Sequence, residues 1–351
     1  MKKIILFLFI LIPINIYAST ASYAVMDADS GRVLASYNKD EKMLIASTTK
    51  IMTAVVAIEN MDTSLEIEVG DEIDKVYGSM IYVKKGEKLT LDSLLYGLML
   101  RSGNDAAMVI AENTLGYDKF IEAMNNKAKE LKMYNTTFEN PHGLDDDTKN
   151  YSTAYDLALL MKYAMKNPEF IKITNAKKYK LTTNLNTHIW HNKNQLLSSY
   201  KYATGGKIGY TKKSGHIFVS SATKDNKNLI VVTLKDTDRF NTHEYLYEKY
   251  FDEYDKYQIL DKFTFFVNEK NYKKYHLYIK NDFSMLMKKN EIKDLLIEIN
   301  LSKNNKVKND KEVGYVSIKL KDTVIHNEPI YASIKENKIE KIKSILFFWK
   351  K

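Results

Sequence analysis

Long apolar stretches in the first half of the chain predict helices. Residues 47–60 carry one such stretch, which is long enough for a largely buried helix with Ser47 at the N-cap or in the first turn. Three more helices are predicted by similar patterns: one from about Asn104, one over 117–131 and one over 154–165. This half of the chain is therefore expected to be mainly helical.

Alternating apolar and polar residues predict strands on either side of the helical part. A turn at Asp29-Ser30-Gly31 separates two short strand patterns and predicts a hairpin over 23–37. After Lys207, strand-like runs over 216–222 and 229–234 flank the turn residues 225–228 and predict an antiparallel hairpin. A helix over 241–254 is expected to complete this unit.

Beyond about residue 257 short β-like segments alternate with lysine-rich and asparagine-rich turns. The predicted strands are 263–267, 276–279, 295–299 and 313–320. The patterns thus predict a mixed α/β (α+β) domain over 19–256, followed by a small all-β domain over 257–333.

Both ends of the chain suggest export. Lys2 and Lys3 precede an apolar run over 4–12 and a small-residue site ending at Ala18, which predicts a signal peptide over 1–18. Apolar residues at helical spacing among lysines over 334–351 predict an amphipathic helix on an anionic membrane surface, with packing on the β domain as the alternative. We expect a periplasmic protein or one on the outer face of the cytoplasmic membrane, anchored peripherally by its C-terminus.

Composition excludes several classes of function. The 351 residues are 44% apolar, which provides for a sizeable core. Cysteine is absent, which excludes disulfides and a thiol nucleophile. The net charge of +9 suits anionic lipid or wall polymer, although lysine-rich solubility explains it equally well, and the export signal argues against nucleic acid. His188 and His191 lack a carboxylate partner and the H-E-x-x-H pattern, so we predict neither a metal site nor a cofactor.

Ser47 and Lys50 are the first residues that could carry chemistry. The spacing i, i+3 at a helix start puts the hydroxyl and the amine on one face, so the amine could take the hydroxyl proton. The positive helix N-terminus would favour the oxyanion that forms next. On its own the pattern is also explained by a capping serine followed by a surface lysine.

Two later segments offer further polar groups. The loop from Arg101 to Asp105 could present the hydroxyl of Ser102 and the amide of Asn104, or could simply cap a helix. The glycines before Lys207 would let the backbone of a strand approach a ligand, or could form a bulge at a strand edge.

Taken together, Ser47-x-x-Lys50, Ser102-Gly103-Asn104 and Lys207-Ile208-Gly209 resemble the three motifs of penicillin-binding proteins and class A β-lactamases. The resemblance widens to the low-molecular-weight D-alanyl-D-alanine carboxypeptidases, the DacA-like enzymes of peptidase family S11. It is carried by the stretches 46–54, 102–107 and 140–145, and glycine between serine and asparagine favours carboxypeptidases over β-lactamases.

The resemblance implies a β-lactamase/transpeptidase-like fold and acyl transfer without a cofactor. Ser47 would attack the carbonyl between two terminal D-alanines, Lys50 would act as the base, and Ser102 with Lys207 would pass the proton to the departing D-alanine. Asn104 would hold the substrate amide. Backbone N–H groups of Ser47 and Tyr210 would form the oxyanion hole, next to Gly209. The implied partners are peptidoglycan stem peptides ending in D-Ala-D-Ala and β-lactam antibiotics.

Arginine usage and one departure from the family pattern concern the substrate's terminal carboxylate. Arg32, Arg101 and Arg239 are the three arginines among 53 basic residues, and arginine grips a carboxylate with two bonds. Arg239 resembles the family residue that helps bind this carboxylate, with Thr211 as a second donor. Ile208 stands where threonine or serine is expected. A β-lactamase, which uses the same chemistry on a different substrate, and a catalytically impaired binding protein remain alternatives to the carboxypeptidase.

Overall fold

The computed structural model describes residues 20–302 and 309–334, which form two compact units. The first unit consists mainly of residues 35–221 and 231–246, and the second mainly of 26–34, 222–230 and the described residues after 247. The predicted signal peptide and most of the predicted C-terminal helix lie outside the described residues. The domain limits drawn at 18/19, 256/257 and 333/334 stay predictions.

Helices dominate the middle of the first unit, as the apolar stretches predicted. They are α1 (Lys50–Asn60), α2 (Leu91–Tyr96), α3 (Asn104–Thr114), α4 (Tyr117–Glu130), α5 (Ala154–Ala164), α6 (Pro168–Asn175) and α7 (Leu196–Ser199), followed by α8 (Arg239–Glu253). Local capping fixes several of their starts. The Thr153 side chain accepts from the N–H of Asp156 at the start of α5. The Asn167 side chain accepts from the N–H of Glu169 at the start of α6, where Pro168 has no N–H that needs an acceptor.

A five-stranded sheet has the order β2-β1-β11-β10-β9. Its strands are β1 (Ser22–Asp27), β2 (Val33–Tyr37), β9 (Ala203–Thr211), β10 (Gly215–Lys224) and β11 (Lys227–Leu234), which confirms both predicted hairpins. Small antiparallel pairs join β3 (Met43–Leu44) to β6 (Tyr151–Ser152), β4 (Glu66–Glu68) to β5 (Lys88–Thr90), and β7 (Lys178–Thr182) to β8 (Thr187–His191).

The C-terminal part is all β, as predicted. A sheet of order β13-β17-β16-β15 contains β13 (Tyr275–Ile279), β15 (Leu295–Leu301), β16 (Lys311–Leu320) and β17 (Thr323–Ile334), and β12 (Asp255–Leu260) pairs with β14 (Phe283–Met287). Its core includes Met285, Val316 and Ile330, all fully buried.

The strand predicted over 263–267 is wrong. The N–H of Phe263 donates to the Asp261 carboxylate and that of Phe265 to the Asp261 carbonyl, each at 2.8 Å, so a local turn takes up these backbone donors. Phe263 and Phe266 are 86% and 77% exposed, whereas Phe265 packs on the core. The alternation of apolar side chains was present, but the turn at Asp261 competes with strand pairing.

Candidate active site

Ser47 lies in a 3-10 turn, Ala46–Thr49, that leads directly into α1. Ala46 adopts the left-handed region with φ of 46°, and the Thr49 hydroxyl donates to the Ala46 carbonyl at 2.8 Å. Two glycines allow other segments to pass close to this turn. A Cβ on Gly143 would lie 2.0 Å from the Ala46 carbonyl oxygen, and one on Gly209 would lie 3.2 Å from the Ser47 nitrogen. The Ser47 backbone is therefore enclosed by a loop and by β9.

Lys50 is fully buried and its amine makes three hydrogen bonds. Nζ lies 3.1 Å from Ser47 Oγ, and it donates to Asn104 Oδ1 at 2.7 Å and to the His142 carbonyl at 2.5 Å. Burial lowers the pKa of Lys50 well below its usual value, and the positive charge of Lys207 lowers it further. The amine is thus placed and electrostatically prepared to take a proton from Ser47.

Ser102 is held in a backbone conformation that is uncommon for serine. It follows a π-helical turn, Gly97–Arg101, and has φ of 65° and ψ of 36°. Its Oγ accepts a hydrogen bond from Lys207 Nζ at 3.0 Å, and the same amine donates to the Ile208 carbonyl at 2.8 Å. Lys207 is buried, which lowers its pKa to about 7, and the charge of Lys193 contributes. The two serine–lysine pairs predicted from sequence are thus both formed.

The Asn104 amide is engaged at both ends. Its oxygen accepts from Lys50, and Nδ2 donates to the Tyr77 carbonyl at 2.5 Å. The next residue, Asp105, accepts from the N–H groups of Ile81 at 3.0 Å and Tyr82 at 2.8 Å. Asp105 therefore fixes the loop that contains Tyr77, Ile81 and Tyr82, and the Tyr77 carbonyl of this loop holds the Asn104 side chain.

Sequence reasoning gave no catalytic or binding role to three residues that contribute to this site. Lys193 Nζ donates to Ser79 Oγ at 3.2 Å, and its charge lowers the pKa values of Lys50 and Lys207. The His142 carbonyl accepts from Lys50, and burial together with the Lys50 charge lowers the pKa of His142 to about 3. Asp105 was considered only as part of a motif. A lysine outside any motif gives no signal in one sequence, because its neighbours come from distant loops.

The remaining predicted residues lie along the end of β9. Ile208 is half-buried and Tyr210 is exposed, its ring 4.5 Å from that of His216. The Thr211 hydroxyl donates to Asp145 Oδ2 at 2.6 Å, so its one hydrogen is already used. Thr211 would have to release Asp145 to donate to a substrate.

Arg239 begins α8 and has a different set of neighbours. Its guanidinium lies over the Phe240 ring at 4.6 Å, and its Nε is buried without a hydrogen-bond partner among the described residues. Burial lowers the pKa of His216, and the Arg239 charge lowers it further. Arg32, in the second unit, has its fork occupied instead. It binds both carboxylate oxygens of Glu291 and donates to the Leu286 carbonyl at 2.8 Å.

The comparisons with known proteins identify both parts of the chain. The family model described as D-alanyl-D-alanine carboxypeptidase, peptidase S11, matches residues 13–238, and that of the penicillin-binding protein 5 C-terminal domain matches 254–338. The D-alanyl-D-alanine carboxypeptidase DacF of Bacillus subtilis is 35% identical over 218 residues, or 60% of this chain, and the match spans 56% of DacF.

Solved structures agree over most of the chain. The D-alanyl-D-alanine carboxypeptidase DacD of Francisella tularensis has 26% identity and a TM-score of 0.70, and the match covers 95% of this chain and 96% of DacD. Penicillin-binding protein 5 of Haemophilus influenzae has a TM-score of 0.76 over 90% of this chain and 97% of its own, at 24% identity, which shows the shared fold. The predicted fold class, enzyme class and family are thereby confirmed. The chain belongs to the D-alanyl-D-alanine carboxypeptidase family, peptidase family S11, and carries a penicillin-binding protein 5 C-terminal domain.

Proposed function

We propose that this protein removes the terminal D-alanine of D-Ala-D-Ala peptides through an acyl-enzyme on Ser47. The observation that carries the proposal is the Lys50 amine, fully buried and 3.1 Å from Ser47 Oγ, with a pKa lowered well below its usual value. A lysine held neutral by burial is a base that can activate a serine near neutral pH.

Acylation begins when Ser47 Oγ attacks the carbonyl carbon between the two D-alanines and its proton passes to Lys50 Nζ. The carbon–nitrogen bond then breaks, and the departing D-alanine nitrogen takes a proton through Ser102 from Lys207, whose amine lies 3.0 Å from Ser102 Oγ. Water attacks the resulting ester, its hydroxyl stays on the shortened peptide, and its remaining proton restores the Ser47 hydroxyl. Transfer of the proton held by Lys50 to Lys207 then returns both amines to their starting states. Asn104 aligns Lys50 and contributes to holding the substrate amide.

The oxyanion of the tetrahedral intermediate would be held by the backbone N–H groups of Ser47 and Tyr210. The close approach of Gly209 to the Ser47 nitrogen supports this role, because a Cβ at this position would crowd the backbone of the turn at 3.1–3.2 Å. Donors of this kind contribute roughly 10²- to 10³-fold each in rate.

Carboxylate recognition rests mainly on Arg239, together with the charge of Lys207. Arg239 has an unsatisfied buried Nε, and a substrate carboxylate would supply a partner. Ile208 has no hydroxyl to offer, and the Thr211 hydroxyl is bound to Asp145. We infer a working enzyme with one carboxylate hydrogen bond fewer than the family pattern provides.

Export and peripheral membrane attachment complete the proposal. They rest on the sequence patterns over 1–18 and 334–351. Within residues 20–302 and 309–334, no helix is long and apolar enough to cross a bilayer.

The central test is labelling with fluorescent penicillin, alongside release of D-alanine from a D-Ala-D-Ala peptide. We expect Ser47→Ala to lose both signals, while Ser64→Ala, a change at an exposed surface turn, keeps both. Labelling of Ser47→Ala would contradict the assignment of the nucleophile. Rapid penicillin turnover would instead indicate a β-lactamase, and stable acylation without D-alanine release would indicate a binding protein.

A further inference from the structure

Thr174, a residue of α6, bonds the strand that carries Lys207. Its side chain is fully buried, and its hydroxyl contacts both backbone groups of Gly206, the residue directly before Lys207. The N–H of Gly206 donates to Thr174 Oγ1 at 2.9 Å, and Oγ1 donates to the Gly206 carbonyl at 3.2 Å. One hydroxyl thus acts as acceptor and as donor toward the same residue.

These two hydrogen bonds replace a strand partner for β9. The order β2-β1-β11-β10-β9 puts β9 at the end of the five-stranded sheet, next to β10. An end strand presents backbone N–H and C=O groups that no further strand bonds. Both backbone groups of Gly206 bond to Thr174 instead, so α6 fixes the edge of the sheet at this point.

Two glycines bring α6 and β10 close to this part of β9. A Cβ on Gly205 would lie 2.4 Å from Thr174 Cγ2, and one on Gly206 would lie 2.5 Å from the Val219 carbonyl oxygen in β10. A side chain at either position would force its neighbour to move. The backbone of β9 is therefore packed tightly between α6 and β10 just before Lys207.

The position of this backbone decides where the Lys207 amine lies. Lys207 Nζ is 3.0 Å from Ser102 Oγ and 2.8 Å from the Ile208 carbonyl, and the side chain is buried. Proton transfer between two groups needs a heavy-atom separation of about 2.6–3.2 Å. The contact between Lys207 and Ser102 therefore tolerates only a small displacement of the strand.

The end of α6 is also tied to the segment that places Ser102. Asn192 Nδ2 donates to the carbonyl of Ala176, the residue directly after α6, at 2.9 Å. The N–H of the next residue, Lys193, donates to the Leu100 carbonyl at 3.1 Å, in the π-helical turn before Ser102. The helix end that holds β9 is thus connected through hydrogen bonds to the turn that holds the proton acceptor.

We propose that Thr174 is a positioning residue for the proton transfer to the departing D-alanine, because its hydroxyl fixes the β9 backbone that aims Lys207 at Ser102. The inference rests on the proposed carboxypeptidase activity and adds a residue that lies outside the three motifs. Thr174 is fully buried and acts through the backbone. Its loss should impair the step that needs Lys207 as a proton donor and spare steps that do not.

The test compares two substrates that differ in their leaving group. The first is a diacetylated Lys-D-Ala-D-Ala peptide, whose departing amine must take a proton. The second is the thioester in which thioglycolate replaces the last D-alanine. Its sulfur can depart as a thiolate, because a thiol has a pKa of about 8.5. The measured quantity is the ratio of kcat/KM for the amide to kcat/KM for the thioester.

Thr174→Val keeps the shape of the side chain and removes the hydroxyl. We expect it to lower the amide-to-thioester ratio by roughly tenfold or more, because a displaced proton donor loses part of the roughly 10²- to 10⁴-fold that general acid catalysis contributes. Thr174→Ser keeps the hydroxyl and should keep the ratio of the parent. A merely structural threonine would affect the two substrates equally.

Thr153→Val is the matched control. Thr153 is also fully buried, and its hydroxyl accepts from the Asp156 N–H at 3.0 Å at the start of α5. This substitution should lower Tm and leave the amide-to-thioester ratio unchanged. An equal fall of the ratio in Thr153→Val would contradict a specific role for Thr174.

A Thr174→Val variant whose ratio equals that of the parent would overturn the positioning role while leaving the carboxypeptidase assignment in place. If this variant does not fold, Thr174→Cys decides, because its thiol takes the place of the hydroxyl but hydrogen-bonds weakly. The ratio should then still fall, and an unchanged ratio would refute the proposal. A parent that releases no D-alanine from any D-Ala-D-Ala peptide would overturn the proposed activity itself.

Discussion

Replacing Arg239 should change activity and stability in opposite directions. Its Nε is buried without a partner, and burial lowers the pKa of the guanidinium. An unsatisfied buried donor costs about 1–3 kcal/mol, and we take the lower end because the side chain is only half-buried. Arg239→Met keeps the aliphatic contact with Phe240 and removes the unsatisfied group. The free energy of unfolding of the substrate-free protein should then increase by about 1 kcal/mol, which corresponds to a rise of roughly 2–4 °C in Tm.

The same substitution should impair catalysis. A hydrogen bond to a charged group contributes about 1.5–3 kcal/mol, which corresponds to roughly a 10- to 150-fold loss of kcat/KM on a D-Ala-D-Ala peptide. The assay combines thermal unfolding at pH 7 with steady-state D-alanine release. An Arg239→Met variant that is less stable than the parent and fully active would show that Arg239 is a structural residue.

Arg32→Met provides a control, because its expected effect on stability has the opposite sign to that of Arg239→Met. Arg32 satisfies both oxygens of Glu291 and the Leu286 carbonyl, so its removal leaves a carboxylate without its partner. We expect a loss of about 1–3 kcal/mol in stability. If Arg32→Met and Arg239→Met shift Tm in the same direction, partner satisfaction does not explain the difference between these two arginines.

Three further predictions concern the base, the β9 strand and the C-terminus. Ile208→Thr should equal or exceed the parent in kcat/KM, because it restores a donor for the substrate carboxylate; an inactive parent rescued by this change would support the binding-protein alternative. Lys193→Gln removes a charge that opposes protonation of Lys50 and Lys207, so both limbs of the pH profile of penicillin acylation should move to higher pH; an unchanged profile would contradict this coupling. Deletion of residues 335–351 should abolish flotation with anionic vesicles, and equal flotation of both forms would remove the proposed anchor.

The Ser47–Lys50 pair was predictable because it depends on local geometry alone. Because Lys50 follows Ser47 by three positions, a single helical turn brings the hydroxyl and the amine together independently of the tertiary fold. The long apolar stretches predicted α1 and α5 to within a few residues for a similar reason, since burial over several turns needs no knowledge of the partner.

The surroundings of Lys50 could not be predicted in this way. Its two other acceptors lie 54 and 92 residues away, at Asn104 and at the His142 carbonyl. A backbone carbonyl has no signature in sequence, and the approach of Gly143 to Ala46 depends on tertiary packing. The strand predicted over 263–267 was wrong for a related reason. The alternation of apolar and polar residues describes side chains only, whereas backbone N–H groups of this segment donate to Asp261 in a local turn.

Crowding of three amines explains how this site can run base chemistry near neutral pH. Lys50 and Lys207 are buried, and Lys193 adds positive charge to both. Burial and like charge both disfavour protonation, so the folded chain holds fewer protons than the unfolded chain between about pH 7, the pKa of Lys207, and the usual lysine range near 10.4. Stability should therefore rise with pH across that window, and the penalty is greatest at and below neutrality, where the enzyme is proposed to act. In return, the lowered pKa of Lys50 suits it to accept a proton from Ser47, and a pKa of about 7 suits Lys207 to release one through Ser102. These are the two proton transfers that acyl transfer requires.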